Sequence, residues 1–196
     1  MQYSFFALIS RMKNITRWAL MRNTAVENVQ EHSHMVAVLA HALAVIRRDV
    51  LGLSADPGLT AVAALYHDAS EIFTGDLPTP IKYFDPDIML AYKRVESVAA
   101  SKLLASLPPE MRPAYEQLLS PETIEDVVSL VKAADKLAAY LKCLEELKTG
   151  NSEFKQAAKQ TRVKLSSLGM PEVDYFMENF VPAFELSLDE LDFSFD

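Results

Sequence analysis

Four ionisable residues, widely spaced along the 196-residue chain, could together hold a divalent metal ion. They are two histidines and two aspartates, in the order His32, His67, Asp68 and Asp135. Imidazole nitrogens and carboxylate oxygens are ligands that suit manganese, cobalt, nickel, zinc or iron. The set therefore predicts one metal centre, although each residue alone also has an ordinary structural explanation.

The dipeptide His67-Asp68 lies in a stretch whose other residues, from Ala63 to Ser70, are mostly small or apolar. Neighbouring side chains on a helix point about 100° apart, so both could approach one metal. Glu71 follows one turn later, and we expect it on the same face, placed for proton transfer rather than ligation. The alternative is a solvated helix face, or a histidine that is hydrogen-bonded within the core.

The other two candidates lie on separate predicted helices. His32 falls in the first turn of a mostly apolar helix, and Asp135 falls on the apolar stripe of another. Because an unpaired buried carboxylate is costly, Asp135 should either bind a metal or form a salt bridge with a lysine or arginine. His34 points about 200° away from His32, so the two cannot serve one site. We interpret His34 and His41 as packing or surface residues.

Capping signals indicate where the first two of these helices begin. Asn28, with Glu31 three residues later, is a capping-box pattern in front of the helix of the first histidine. Asp56-Pro57 is a cap followed by proline at the first helical position. We predict that this second helix continues to Gly75, which would end it.

Similar signals divide the rest of the chain. Asp85, also before a proline, opens a helix that runs through Leu104. A pair of prolines ends that helix, and Ser120, again before a proline, opens the longest helix. Gly150 closes it, and shorter helices are predicted on both sides of Gly169.

The composition favours a single all-α domain. Half of the residues are hydrophobic, 23% are charged, and only five are glycine, which suits helices better than tight turns. An alternating strand pattern of useful length is absent from the sequence. We predict a single-domain helical bundle over residues 1–196, with an acidic tail that frays after about residue 188.

The net charge of −8, from 19 basic and 27 acidic residues, argues against a protein that binds long nucleic acid. A protein that binds a nucleic-acid polymer through its phosphates needs a basic face, whereas a small phosphorylated ligand can be held by a metal and a few local cations.

The apolar run from Tyr3 to Ile9 is too short to span a membrane. The one cysteine, Cys143, is interpreted as a packing residue, and a reducing cytoplasm is expected.

Four longer stretches resemble the bacterial HD-domain 5′-deoxynucleotidases, which belong to the HD-domain superfamily of metal-dependent phosphohydrolases. They are Arg17-Trp18 with Met21-Arg22-Asn23, then Glu27 to Ser33, then Tyr66 to Glu71 with Thr74 to Pro80, and finally Ala134 to Lys142. The resemblance covers nearly the whole chain. It implies a helical homodimer of the HD-domain type that removes phosphate from deoxyribonucleoside 5′-monophosphates. It also implies one metal on the two histidines and two aspartates, with cobalt or manganese favoured.

The resemblance further implies a set of substrate contacts. Arg17 would contact the phosphate as a bidentate cation, and Trp18 would pack beside the sugar and select against a ribose 2′-hydroxyl. Asp76 would orient water or donate a proton to the leaving 5′-oxygen. The residues that would line the nucleotide pocket are Asp76, Leu77, Pro78 and Thr79, together with the ligands His32, Asp68 and Asp135. Taken singly, Arg17 could be a surface cation, Trp18 a core residue and the loop a helix terminator.

Two alternatives stay open. One is an HD-type hydrolase that acts on a cyclic nucleotide, a deoxynucleoside triphosphate or a guanosine polyphosphate, although the few basic residues near the motifs favour a monophosphate. The other is a non-catalytic helical module that binds a nucleotide without turnover. The complete set of candidate ligands, with Glu71 beside it, argues against such a module.

Overall fold

The computed structural model describes residues 2–78, 81, 84–120 and 124–191. Its α-helices within these residues are α1 (Phe5–Ile9), α2 (Val29–Val45), α3 (Pro57–Tyr66), α4 (Glu71–Thr74), α5 (Pro86–Ala105), α6 (Arg112–Leu119), α7 (Glu125–Lys148), α8 (Lys155–Ser166) and α9 (Pro171–Asn179). Short 3₁₀ segments occur at Ser10–Asn14, Pro109–Met111, Ser152–Phe154, Val181–Glu185 and Leu188–Glu190, and a π turn at Ile46–Val50 follows α2. The predicted all-α helical bundle is confirmed.

Helices α2, α3 and α7 pack together at the centre of the bundle. The predicted capping box of α2 is confirmed, because the Asn28 side chain accepts from the Glu31 backbone and the Glu31 side chain accepts from the Asn28 backbone, each at 3.0 Å. Leu43 of α2 and Leu137 of α7 are completely buried in the core between these helices. Each buried leucine contributes about 1.5–3 kcal/mol of transfer free energy, which fixes the relative position of the two helices.

Helix α3 begins where the sequence predicts and ends earlier. The Asp56 side chain accepts a hydrogen bond from the Leu59 amide at 2.9 Å, as a cap should. The last α-helical residue, however, is Tyr66, and a separate short helix α4 leads to Gly75. The prediction of one continuous helix up to Gly75, which has a φ of +72°, is therefore wrong.

A tight turn replaces the predicted last part of α3. The Ala69 amide donates to the Tyr66 carbonyl and the Glu71 amide donates to the Asp68 carbonyl, both at 3.0 Å. These bonds join residues three apart, as in a 3₁₀-helix, where side chains three residues apart eclipse each other. Asp68 and Glu71 consequently lie on the same side of the chain, although not through the α-helical geometry that was expected.

A second apolar cluster packs against the buried side of this turn. Ala69 is completely buried there against Phe5 of α1, Leu103 of α5 and the following Leu107. Since Ala69 lies between the candidate ligands and Glu71, its packing fixes the backbone from which those side chains extend.

The middle of the chain differs most from the prediction. Helix α6 was not expected, because the prolines before it were interpreted only as a break. Pro113 falls in its first turn, where a missing N–H group is tolerated. The longest helix begins at Glu125 rather than at Ser120, and residues 121–123 lie outside the described part.

The predicted end of the longest helix agrees with the structure. Gly150, with a φ of +88°, follows the end of α7 as predicted. Near the C-terminus a short 3₁₀ turn, Leu188–Glu190, is capped by Ser187. Residues 192–196 lie outside the described residues.

Cys143 is completely buried in α7, and burial raises the pKa of its thiol to about 12. A thiol with so high a pKa is a poor nucleophile, which confirms its interpretation as a packing residue.

Among the helices of the described residues, none combines the length and apolar character needed to cross a membrane.

Candidate metal and phosphate site

The candidate ligands come from three helical segments that converge at the start of α2. His32 is in the first turn of α2 and is completely buried. His67 directly follows α3, and Asp135 lies in the middle of α7. One nitrogen or oxygen atom from each of these three residues lies within 4.8 Å of the others, close to the spacing of ligands that share one ion through bonds of about 2.0–2.2 Å.

Asp68 lies between the two histidines. Its Oδ2 is 3.1 Å from Nε2 of His67 and 3.7 Å from Nε2 of His32. Nε2 of His32 also lies within hydrogen-bond distance of Oδ1 of Asp135, at 3.1 Å. The structure thus brings all four residues predicted as ligands together, across 103 positions of the chain.

The hydrogen bonds of His67 direct its Nε2, rather than its Nδ1, towards the other candidate ligands. Its Nδ1 donates to the Ala64 carbonyl at 2.7 Å, since a carbonyl can only accept. Within the described residues its Nε2 is buried without a hydrogen bond of good geometry, 3.1 Å from Oδ2 of Asp68. A metal that binds there would displace the proton that this carboxylate favours, because a ligating histidine is neutral. A backbone carbonyl that fixes the tautomer in this way is typical of metal-ligating histidines. The donor set therefore fits a divalent transition metal.

The charges of the site are strongly coupled. Burial alone would lower the pKa of His67, but the Asp68 carboxylate raises it to about 9. Burial alone would raise the pKa of Asp68, but His67, His32 and Arg17 hold it well below its usual range. The pKa of Asp135 is likewise lowered, against the effect of burial, by its hydrogen bond from His32. Both carboxylates are thus anionic, as ligands of a cation must be.

Asp135 is more accessible than the sequence predicts. Its neighbours Ala134 and Ala138 are buried, but its own side chain is 40% exposed. Asp135 thus lies on the predicted apolar face of α7, although its side chain is not fully enclosed there. Partial exposure reduces the cost of desolvating the charge and leaves the group accessible to a ligand.

Glu71 is a buried carboxyl group close to the negative charges of Asp68 and Asp76. It is 9% exposed, and its Oε2 is buried without a hydrogen-bond partner among the described residues. Burial, followed by the negative charges of Asp68 and Asp76, raises the pKa of its carboxyl to about 9. At neutral pH such a group holds a proton that it can transfer to a neighbouring atom.

Arg17 brings a positive charge to the same place from the loop between α1 and α2. Its Nη1 donates to Oδ2 of Asp68 at 3.3 Å, and its Nε donates to Oε2 of Glu27 at 3.1 Å. The Arg17 side chain is only 12% exposed. Burial opposes its charge, but the surrounding carboxylates raise its pKa above the ordinary value. A phosphate next to Asp68 would therefore find this cation already in place.

Trp18 lies beside Arg17 in an unusual conformation. It has a φ of +60°, in the left-handed region that residues other than glycine rarely adopt. Its ring packs on Phe154 with 5.3 Å between ring centroids, and its Nε1 donates to Oε2 of Glu27 at 3.0 Å. The sequence predicts no role for Glu27, although this residue begins one of the four motif stretches. Spacing alone could not show that its side chain reaches back to both residues.

The loop after α4 is described only in part. Asp76 is partly buried, burial raises the pKa of its carboxyl, and the Trp18 backbone amide bonds to it. Leu77 and Pro78 are also partly buried, and Thr79 lies outside the described residues.

The remaining histidines lie away from this cluster. His34 and His41 are both exposed on α2, which confirms their interpretation as surface residues.

Known proteins similar to this chain share its length and its fold. The family described as 5′-deoxynucleotidase YfbR-like matches residues 4–184. A 5′-deoxynucleotidase of Vibrio vulnificus is 50% identical over 95% of this chain and 97% of its own length. A 5′-deoxynucleotidase of Cronobacter sakazakii is 51% identical over 97% of this chain and 96% of its own.

Two solved structures illustrate the fold. An HD-domain phosphohydrolase from Listeria innocua has a TM-score of 0.79 and 23% identity, over 92% of this chain and 88% of its own. A cyanophage S-2L HD phosphohydrolase, bound to dA and one catalytic Zn²⁺ ion, has a TM-score of 0.61 and 20% identity, over 91% of this chain and 96% of its own. Together with the family match over nearly its whole length, these similarities show that the chain belongs to the YfbR-like family of 5′-deoxynucleotidases and has the HD-domain fold.

Proposed function

We propose that this protein hydrolyses deoxyribonucleoside 5′-monophosphates to the deoxyribonucleoside and phosphate, with the help of one divalent metal. The observation that carries the proposal is the contact between Arg17 and Asp68, because it joins a buried phosphate-binding cation to the mixed histidine and aspartate cluster. Relatives named 5′-deoxynucleotidase, at 50 and 51% identity over almost the whole chain, support the same activity.

The proposed metal ligands are His32, His67, Asp68 and Asp135. When bound, a divalent cation would neutralise phosphate charge and lower the pKa of water. Cobalt or manganese is the favoured ion, and zinc, nickel and iron also suit mixed imidazole and carboxylate ligands. The convergence of Nε2 of His67 and Nε2 of His32 on the two carboxylates supports this assignment.

The substrate is proposed to bind between Arg17, Trp18 and the loop after α4. Arg17 donates to phosphate oxygens, and its placement by existing carboxylates avoids reorganisation as charge develops on the phosphate. Trp18 lies against the sugar, where its rigid ring leaves no room for a 2′-hydroxyl. The ligands His32, Asp68 and Asp135 border the same pocket, and the described loop residues Asp76, Leu77 and Pro78 line it.

Two carboxyl groups are proposed to act on protons. Glu71 transfers a proton through its Oε2, since burial and neighbouring negative charge keep it protonated at neutral pH. Asp76 orients the attacking water or donates a proton to the leaving 5′-oxygen. Its burial, which raises the pKa of the carboxyl, supports such a role.

The test is a phosphate-release assay on purified full-length protein. Deoxyribonucleoside and ribonucleoside 5′-monophosphates are compared after removal of metal with a chelator and after addition of each candidate metal in turn. We expect turnover of the deoxy series, which disappears with the chelator and returns with cobalt or manganese. Faster turnover of a cyclic nucleotide, a deoxynucleoside triphosphate or a guanosine polyphosphate would replace this proposal with another HD-type activity. Stoichiometric metal without turnover of any nucleotide would favour a binding module.

We further propose that the protein is a cytoplasmic homodimer. The family resemblance supports the homodimer, and the buried, unpaired thiol of Cys143 suits a reducing compartment. Sedimentation equilibrium of the purified protein measures the first property, and fractionation of cells that express it measures the second.

A further inference from the structure

One carboxylate oxygen connects the proposed phosphate-binding residue to the proposed sugar-selecting residue. Oε2 of Glu27 accepts from Nε of Arg17 at 3.1 Å and from Nε1 of Trp18 at 3.0 Å. The side chains of Glu27 and Arg17 are 17% and 12% exposed, so both bonds are largely shielded from water. Hydrogen bonds to an ionised acceptor are stronger than neutral ones, and here two of them converge on one atom.

The backbone of Glu27 holds the same segment. The Arg17 amide donates to the Glu27 carbonyl at 2.9 Å, and the Val29 amide donates to the Ile15 carbonyl at 2.9 Å. These bonds flank an antiparallel bridge between Thr16 and Asn28. The short segment before Trp18 is therefore aligned against the start of α2, and the Glu27 side chain extends this alignment to the two functional side chains.

Trp18 depends on this support because its backbone is strained. A φ of +60° is unfavourable for a residue with a Cβ atom and persists only where surrounding contacts enforce it. The ring packs against Phe154, tilted by 56° to it, and is hydrogen-bonded through its Nε1 to Glu27. Phe154 provides apolar contact without direction, whereas the hydrogen bond to Glu27 fixes the orientation of the ring in its plane.

We propose that Glu27 is a positioning residue that sets specificity, by holding the Trp18 indole and the Arg17 guanidinium at a fixed separation. This inference rests on the proposed function, in which Arg17 binds the 5′-phosphate and Trp18 excludes the 2′-hydroxyl. With the phosphate anchored at Arg17, the distance to Trp18 determines whether the sugar 2′-position meets the ring. Without Glu27 the two side chains move independently, and a ribonucleotide can bind with its phosphate in place.

The experiment compares Glu27→Ala and Glu27→Gln with wild-type protein and with Glu31→Gln as a matched control. Glu31 lies four residues later at the same helix start. Its hydrogen bonds to Asn28 form the α2 cap, which glutamine can also form. Glu31→Gln therefore removes one negative charge without removing the bridge. Glu27→Gln retains a carbonyl acceptor, so it keeps part of the bridge and remains folded if the alanine variant does not.

The first measurement needs no turnover. Trp18 is the only tryptophan of the chain, so intrinsic fluorescence reports on this ring alone. In Glu27→Ala we expect a red shift of the emission and a rise in acrylamide quenching towards that of a free indole, with unchanged circular dichroism. Glu27→Gln should give a smaller change, and Glu31→Gln should match the wild type.

The second measurement is the ratio of kcat/KM for 2′-deoxyadenosine 5′-monophosphate to that for adenosine 5′-monophosphate. In Glu27→Ala this ratio should fall about tenfold, the size expected when one hydrogen bond to a charged group is lost. The fall should come from a lower KM for the ribonucleotide. A loss of protein stability alone would reduce activity on both nucleotides equally and would leave this ratio unaltered. An unchanged ratio in Glu27→Ala, or an equal fall in Glu31→Gln, overturns the proposal.

Failure of the proposed function can be told apart from failure of this inference. If the wild type hydrolyses neither nucleotide, the proposed function is wrong, and the fluorescence measurement still decides whether Glu27 positions Trp18. If the wild type discriminates and the fluorescence of Glu27→Ala is unchanged, the function stands and the positioning role of Glu27 is rejected.

Discussion

Lys142 and Glu146 form a buried ion pair one turn apart on α7, with 2.7 Å between Nζ and Oε1. The pair also binds the loop that follows Trp18. Glu146 accepts from the Thr24 amide at 2.8 Å, and Lys142 donates to the Ala25 carbonyl at 2.6 Å. The loop of the proposed substrate-binding residues is thus attached to the C-terminal half of α7, whose middle provides the candidate ligand Asp135.

Replacement of Glu146 by alanine should destabilise the protein by about 3–5 kcal/mol, the usual cost of removing one partner of a buried ion pair. The reason is that Lys142, 5% exposed, would keep a charge without a compensating carboxylate. Urea unfolding followed by circular dichroism measures the change. Glu145→Ala is the matched control, because its side chain is 60% exposed and 3.8 Å from Lys142, and it should cost less than about 1 kcal/mol. Equal effects of the two variants would contradict this account.

The same pair predicts how stability depends on pH. Burial alone would raise the pKa of Glu146, but hydrogen bonds from Lys142, Thr24 and Asn151 hold it well below the ordinary value. A group whose pKa is lowered on folding stabilises the folded state above its unfolded pKa, about 4.3 for glutamate. This stabilisation is lost as the pH falls through the lower folded value.

Wild type and Glu146→Gln should therefore differ by a constant free energy of unfolding above about pH 5. The difference should shrink in more acidic solution, as the wild-type carboxylate becomes protonated. Urea unfolding at a series of pH values measures it. A difference that grows towards acid pH would show that the pKa of Glu146 is not lowered by folding.

The fold could be predicted from the sequence wherever a structural feature depends only on residues close together in the chain. The capping box of Asn28 and the cap of Asp56 form because a side chain satisfies a nearby amide, which requires no information about distant residues. The end of α3 was not predictable, because the tight turn after Tyr66 is stabilised by the burial of Ala69 against Phe5 and Leu103, which are far away in sequence.

The site was predictable to a similar extent. Residue types identified the cluster of His32, His67 and Asp135, because mixed imidazoles and carboxylates on apolar helices are chemically unusual. Glu27 was missed for the opposite reason. A glutamate in front of a helix is ordinary in sequence, and its importance depends on a loop that folds back over ten residues to Arg17.

Glu71→Gln should abolish most turnover while leaving binding intact. Glutamine preserves the size of the side chain but has no proton to transfer at neutral pH, and general acid–base catalysis typically contributes about 10²–10⁴-fold. Single-turnover phosphate release measures the loss. Metal content and nucleotide affinity are the controls, and both should match the wild type. Turnover within a few fold of wild type would show that Glu71 takes no part in proton transfer.

His32→Gln should lower the affinity for cobalt or manganese by more than the 10–100-fold that residues behind the ligands typically contribute. The reason is that His32 is buried within the ligand cluster, 3.1 Å from Asp135. Metal titration by isothermal calorimetry measures the affinity. His34→Gln on the same helix is the control, because His34 is exposed and should bind nothing essential. A comparable loss in His34→Gln would place the metal elsewhere.

Trp18→Ala and Trp18→Gly should both admit ribonucleoside monophosphates, since either removes the ring proposed to exclude the 2′-hydroxyl. The two variants should nevertheless differ in stability. A φ of +60° strains alanine but not glycine, and such strain amounts to about 1–3 kcal/mol. Thermal unfolding should therefore show Trp18→Gly to be the more stable of the pair, against the usual destabilising effect of glycine.

The comparison of these two variants distinguishes the effect of the Trp18 ring from the effect of the strained Trp18 backbone. If both lose discrimination equally and only their stability differs, the ring itself selects the sugar, and the left-handed backbone serves to place that ring. If Trp18→Ala keeps the discrimination that Trp18→Gly loses, selection depends instead on the restricted backbone at this position. If both variants retain wild-type discrimination, the exclusion of the 2′-hydroxyl is due to another residue of the pocket.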